Sequence, residues 1–269
     1  MSVQQMGYYS LSGTKYRIRQ AFDQAALTYD DAADVQREIS DILAVYLTQC
    51  KINSFPDTIL DAGCGTGYGA VWLQKSWPQA HLILVDFAPS MLATARDRCH
   101  TGVDLVCADI EALPTIRGSC DLYWSSLAWQ WNSPHRCLLE ADRVLRSSGI
   151  IAVATLGIDN FSELRSAFSE VDNYSHVMNI QSHELLLAGC RERGWQVKIY
   201  ERHPIRRYYP DVRSLLKTVK KIGASEVEKR RPALFSRAAW YAMIDQYEKW
   251  REPNGLPLTY DVIWLIATR

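Results

Sequence analysis

No stretch of this 269-residue chain approaches the roughly 18 apolar residues that span a bilayer, and its opening MSVQQMGYYSLSGTKYRIRQ lacks a signal peptide's apolar core. A soluble, cytoplasmic protein without a membrane role is expected. Repeats and low-complexity tracts are absent, so neither a solenoid nor a disordered chain is indicated. The seven cysteines, at 50, 64, 99, 107, 120, 137 and 190, form no C-x-x-C pair and have no His cluster at metal-ligand spacing. We therefore expect no metal, and reduced, mostly buried thiols. Net charge is missing too: 30 Lys and Arg balance 30 Asp and Glu. That leaves no broad phosphate footprint, so nucleic acid is not an expected partner.

What is present reads as a globular α/β chain. Apolar residues make up 48% and charged residues 22%, near the averages for packed domains. Residues 20–50 carry apolar positions at helical spacing, and with the preceding residues form an expected helical lid over 1–54. TILDAGCGTGYGAVWLQKSW then gives a short apolar run, a glycine-rich turn and an amphipathic helix; HLILVDFAPSMLATARDRC repeats the pattern. VDLVCAD, CDLYWSSL, a helix over about 134–146 and GIIAVATL complete an expected core over 55–156. Strands alternating with helices predict a doubly wound, Rossmann-like fold with a mostly parallel sheet. Helical insertions are expected over 157–257, interrupted by a strand near 195–200, and a last strand over 258–269. A single domain of seven strands with helical lids accounts for the whole chain.

The turn ILDAGCGTGYGA carries the first chemistry. Gly63, Gly65 and Gly67 allow a tight turn and close ligand approach, and the following helix points its positive end at an anion. Gly65, Gly67 and Ala70 also satisfy the dinucleotide pattern G-x-G-x-x-A, so the loop alone does not name its ligand. Asp86, closing the second strand, is placed to accept ribose hydroxyls in either case.

With Asp61 inside it, D-x-G-x-G-x-G resembles the first motif of class I methyltransferases. That resemblance implies S-adenosylmethionine as cofactor, with Asp61 and the glycines around its methionyl end and Asp86 on its ribose. Asp109 and Ile110, in CADIEALP, match the positions beside adenine; Asp109 also suits a helix N-cap. Ser125, Gln130 and Trp131, in WSSLAWQW, follow the fourth strand, where cofactor and substrate should meet.

Four further blocks, AFDQAALTYDDAADVQ, DIEALP with DLYWSSLAWQW, VKKIGA, and PLTYDVIWLIATR, resemble the malonyl-[acyl-carrier protein] O-methyltransferases of biotin synthesis, the BioC family. The match runs from about Lys15 to Arg269, departing where the family often reads SN at Ser125 and Ser126. It implies methyl transfer to the free carboxylate of a malonyl thioester, with Tyr29 closing over the cofactor and His176 near a second substrate wall. A carboxylate, with a reference pKa of about 4, is already ionised at neutral pH, so no general base is required. The family's substrate rides on an acidic carrier protein. Residues 191–240 hold fourteen basic against five acidic residues, and Arg206, Arg207, Arg213, Lys217, Lys220 and Lys221 are the candidate docking cations. The competing readings are a class I methyltransferase for another small acid or a quinone precursor, a nicotinamide oxidoreductase, for which no Tyr/Lys or Cys/His pair stands at suitable spacing, and a noncatalytic cofactor-binding regulator.

Overall fold

The computed structural model describes residues 13–50, 56–99, 102–172, 174, 176–178, 180, 184–221 and 236–269. Helices α1 (Gly13–Ala25) and α2 (Asp34–Gln49) precede a first strand, β1 (Thr58–Ala62). Alternation then gives α3 (Tyr68–Ser76), β2 (His81–Asp86), α4 (Pro89–Cys99), β3 (Val103–Cys107), β4 (Cys120–Ser126), α5 (Pro134–Val144) and β5 (Leu145–Leu156). Helices α6 (Ser162–Ser169) and α7 (Glu184–Glu192), the long strand β6 (Gln196–Tyr209), α8 (Val212–Lys221), α9 (Arg237–Glu248) and β7 (Leu256–Thr268) complete the order.

The seven strands form one sheet in the order β3-β2-β1-β4-β5-β7-β6. The five strands from β3 to β5 pair in parallel, and β7 runs antiparallel between β5 and β6. This is the doubly wound arrangement the alternation predicts, and the direction in which successive strands are added to the sheet reverses between β1 and β4. A crevice is expected at the carboxyl ends of those two strands.

Two elements differ from their expected forms. Helix α2 is not a lid: Val35, Ile39, Leu43 and Leu47 bury one stripe against the sheet, and Trp264 Nε1 of β7 donates to the Ile39 carbonyl at 3.0 Å. Only α1 leans outward onto α4, where Phe22 and Ala26 meet Ala88 and Met91. Strand β6 extends from Gln196 to Tyr209, well past the expected 195–200, pairing with β7 down to Tyr209 opposite Leu256. As an edge strand it tolerates the charges and Pro204 that disguised it.

The buried β7 also anchors the loop after β5. Asp261 accepts from Arg202 through both carboxylate oxygens at 2.8 Å and from the Asp159 amide at 3.0 Å, while its carbonyl accepts from the Gly157 amide at 2.7 Å. A Cβ on Gly157 would overlap the Asp261 carboxylate. Beside this knot, buried Glu163 accepts from the amide and hydroxyl of Thr259. Residues 157–161 are thus fixed to the sheet at the rim of the crevice.

Candidate functional site

A deep cavity occupies the crevice, lined among others by Asp61, Gly63, Gly65, Asp86, Phe87, Asp109, Ile110 and Trp131. Each glycine in the turn has its own reason to be glycine. Gly63 has φ +81°, and a Cβ there would overlap the Ala128 side chain. Gly67 has φ +80° and lies against α4, where a Cβ would come within 3.0 Å of Ala95 Cβ and 3.1 Å of its Cα. Gly65, at φ +52°, faces open space, with no atom within 4 Å of where its Cβ would sit. Two glycines therefore serve packing, and the middle one leaves room on the cavity wall.

Asp86 braces this loop. Its Oδ2 accepts from the Gly65 amide at 2.9 Å and its Oδ1 from the Ala88 amide at 2.8 Å. Burial pushes its pKa up to about 6, a rise that the bonds from Ala88 and Gly65 restrain. Each oxygen keeps a lone pair for a further donor, as a ribose would supply. Asp61 is different: it is buried, and its Oδ1 has no hydrogen-bond partner. Burial, and then the nearby Asp86 charge, push its pKa up to about 8. An unpartnered carboxylate oxygen on the cavity wall suits the ammonium group of an amino acid. With the open wall at Gly65, the residues present fit S-adenosylmethionine.

An aromatic cluster roofs the cavity. Phe22 of α1 meets Tyr29, Phe87 and Trp131 at ring-centre distances of 6.3, 6.1 and 5.3 Å. Burial, followed by the charges of Asp86 and Asp30, raises the Tyr29 phenol above its ordinary value and keeps it neutral. Three polar ties hold this N-terminal cover down. Lys15 pairs with Asp109 at 2.5 Å and Glu111 at 2.9 Å, Asp23 accepts from the Ser90 amide at 2.9 Å, and Asp30 pairs with Arg98. Asp109 thus lines the cavity while bound to the cover, and its Oδ1 also accepts from the Glu111 amide at 3.0 Å.

The other expected residues are distributed as follows. Ser125 turns away from the cavity, donating to the Ala62 carbonyl at 2.6 Å between β4 and β1, and its neighbour Ser126 lines the cavity instead. Gln130, held by the Leu127 carbonyl at 2.7 Å, borders a second, smaller cavity that shares Tyr29, Gln36, Leu127 and Trp131 with the first. His176 lines neither; it stacks on Phe168 at 4.0 Å and bonds Asp172 at 2.8 Å. Arg207 is paired with Glu38, and Arg206 lies 3.7 Å from Glu252. Arg213, Lys217 and Lys220 stand exposed on α8 opposite its buried Val212, Leu215 and Val219, and Lys221 is partly covered. Phe22, Gln36, Phe87 and Asn160 are wall residues that the sequence reading passed over. Only Phe87, adjacent to Asp86, carried a local signal.

A family model described as a methyltransferase domain matches residues 60–153. A protein of Dechloromonas aromatica named malonyl-[acyl-carrier protein] O-methyltransferase is 42% identical over 95% of this chain and 95% of its own. The biotin biosynthesis bifunctional protein BioHC of Cellvibrio japonicus is 34% identical over 95% of this chain, which spans 50% of that longer protein. Among solved structures, a putative methyltransferase of Bacillus halodurans superposes with a TM-score of 0.61 at 15% identity, covering 84% of this chain and 97% of its own. That likeness extends to the fold.

Proposed function

The chain belongs to the malonyl-[acyl-carrier protein] O-methyltransferase family, and on that premise we propose that its two adjoining cavities bring cofactor and malonyl carboxylate together across Tyr29 and Trp131. It is an S-adenosylmethionine-dependent O-methyltransferase that esterifies the free carboxylate of malonyl-[acyl-carrier protein], a step of biotin synthesis. The observation that carries the site assignment is Asp61 Oδ1, a buried acceptor without a partner beside an open glycine wall.

The bound cofactor supplies an electrophilic methyl group on a sulfonium. Asp61 holds the ammonium end, Asp86 the ribose, and Phe87, Met91 and Ile110 offer an apolar slot for the base. The acceptor arrives already ionised, so the protein's task is alignment and exclusion of water, worth several orders of magnitude when reacting atoms are held near 3 Å. The roof of Phe22, Tyr29 and Trp131 provides that exclusion. No helix among the described residues is long and apolar enough to cross a membrane, and we place the reaction in the cytoplasm.

The carrier protein is taken to dock on α8. Arg213, Lys217 and Lys220 lie three and four residues apart on its exposed face, whereas Arg206 and Arg207 lie next to acidic partners. Reversing all three to Glu is expected to raise KM for the malonyl carrier protein at least tenfold at low salt, while malonyl-CoA turnover changes less than twofold. Equal losses on both substrates would remove α8 as the docking face. Failure of the unaltered enzyme to methylate either would remove the substrate assignment itself.

A further inference from the structure

The second cavity is lined by Tyr29, Trp131, Gln36, Asn160, Phe161 and Tyr260, together with Leu127, Gln130, Leu156 and Met178. None of these side chains is charged. Gln36 Oε1 and Asn160 Oδ1 are buried without a hydrogen-bond partner, and Asn160 is 3% exposed. A buried amide oxygen without a partner costs about 1–3 kcal/mol. Both residues line one small cavity, and their side-chain NH2 groups are donors suited to an acceptor such as a carboxylate.

Backbone strain gathers in the same place. Leu127 at φ +57° and Phe161 at φ +56° are the described non-glycine residues with positive φ, and both line this cavity. Each is held by the sheet: the Leu127 amide donates to the Ala154 carbonyl and the Phe161 amide to the Thr259 carbonyl, both at 2.8 Å. Strain retained by surrounding structure is characteristic of functional sites. The Asp261–Arg202 knot holds the loop that carries Asn160.

We infer that Asn160 and Gln36 form the acceptor-carboxylate subsite, their side-chain NH2 groups donating to the malonyl carboxylate. The inference rests on the methyltransferase reading of the neighbouring cavity. In the transfer, a carboxylate oxygen donates an electron pair to the methyl carbon as the carbon–sulfur bond breaks. The sulfonium becomes a neutral thioether, the acid becomes a neutral ester, and no proton moves. Charge is thus lost on the way to the transition state. A Lys or Arg in the pocket would stabilise the carboxylate more than the transition state and slow the reaction. A wholly apolar pocket would not admit the anion. Neutral amides meet both demands: they orient one oxygen and leave the other its nucleophilicity. Tyr29 and Trp131, shared by both cavities, then stand beside the line of transfer.

The test compares Asn160→Leu and Gln36→Leu with the unaltered enzyme by calorimetry and kinetics. Asn160→Leu, which lines the second cavity alone, is expected to bind S-adenosylhomocysteine within twofold of the unaltered protein, and Gln36→Leu, which borders both cavities, is compared at saturating S-adenosylhomocysteine. Each variant's affinity for malonyl-pantetheine in that complex should fall at least tenfold, with no change for acetyl-pantetheine, which lacks the carboxylate. kcat/KM for the malonyl carrier protein should fall about thirtyfold or more. If malonyl binding and turnover stay within threefold in variants that hold the cofactor product, the subsite is overturned and the function stands. Should the unaltered enzyme bind cofactor yet leave malonyl unmethylated, function and subsite fall together. If the buried Asn160→Leu fails to fold, the partly exposed Gln36→Leu decides alone.

Discussion

Asp61→Asn is expected to weaken S-adenosylmethionine binding about a hundredfold at pH 8 while leaving the melting temperature of the ligand-free protein at pH 7 within a few degrees. In the free protein, burial and the Asp86 charge raise the Asp61 carboxyl from 3.8 to about 8. At pH 7 the group is therefore mostly neutral, and Asn reproduces its shape without new cost. The cofactor's ammonium reverses that balance by favouring the ionised carboxylate, an interaction worth about 1.5–3 kcal/mol for a charged pair. The pH dependence follows in sign. Binding below pH 8 must release the Asp61 proton, so affinity of the unaltered protein should rise from pH 6 towards about pH 8 and fall beyond it as the cofactor's own α-ammonium deprotonates. Calorimetry in two buffers of different ionisation enthalpy would show proton release near one at pH 6, absent in the variant. A raised folded-state pKa also means that stability of the free protein declines as pH climbs from about 4 towards 8. Asp61→Asn should be spared that decline.

The glycine turn offers a second large effect, divided between Gly63 and Gly65. Gly63→Ala combines overlap with Ala128 and an unfavourable φ of +81°, so it should cost about 3 kcal/mol of stability. Gly65→Ala meets no atom within 4 Å and bears only the cost of φ +52°, about 1 kcal/mol. Its methyl group instead occupies space on the cavity wall, so the expected loss is in affinity, tenfold or more, in a protein that still folds. Thermal melts with and without S-adenosylhomocysteine separate the two. The ligand-free melt should drop sharply for Gly63→Ala, and the ligand-induced shift should shrink for Gly65→Ala. The reverse pattern would mean that the turn's roles have been exchanged.

These cases show which parts of the site could be read from sequence. Asp61, the glycines and Asp86 lie at strand ends beside a turn that only glycine can make, and local spacing is enough to place them. Ser125 and Ser126 were harder, because alternate strand residues face opposite sides of the sheet. Ser125 bonds the β1 carbonyl and Ser126 meets the cavity, a choice that the local sequence pattern does not make. Helix α2 has an amphipathic stripe that marks it as packed without saying on what, so sequence alone does not separate a lid from the core helix to which Ile39 and Leu43 belong. Asn160 and Gln36 were invisible for a different reason. They meet only because Asp261 and Arg202, on two later strands, tie the loop after β5 over the crevice. The BioC-like blocks nevertheless include one of these strands, for PLTYDVIWLIATR carries Tyr260, Asp261 and Trp264, whereas the strand of Arg202 lies in none of them.

The most direct test is intact-mass spectrometry of malonyl-[acyl-carrier protein] incubated with the enzyme and S-adenosylmethionine, alongside acetyl and succinyl carrier forms. The account predicts a gain of one methyl on the malonyl form, reversed by mild base as an ester should be, and none on acetyl, which offers no carboxylate. Unmodified malonyl in the presence of an enzyme shown to bind its cofactor would contradict it.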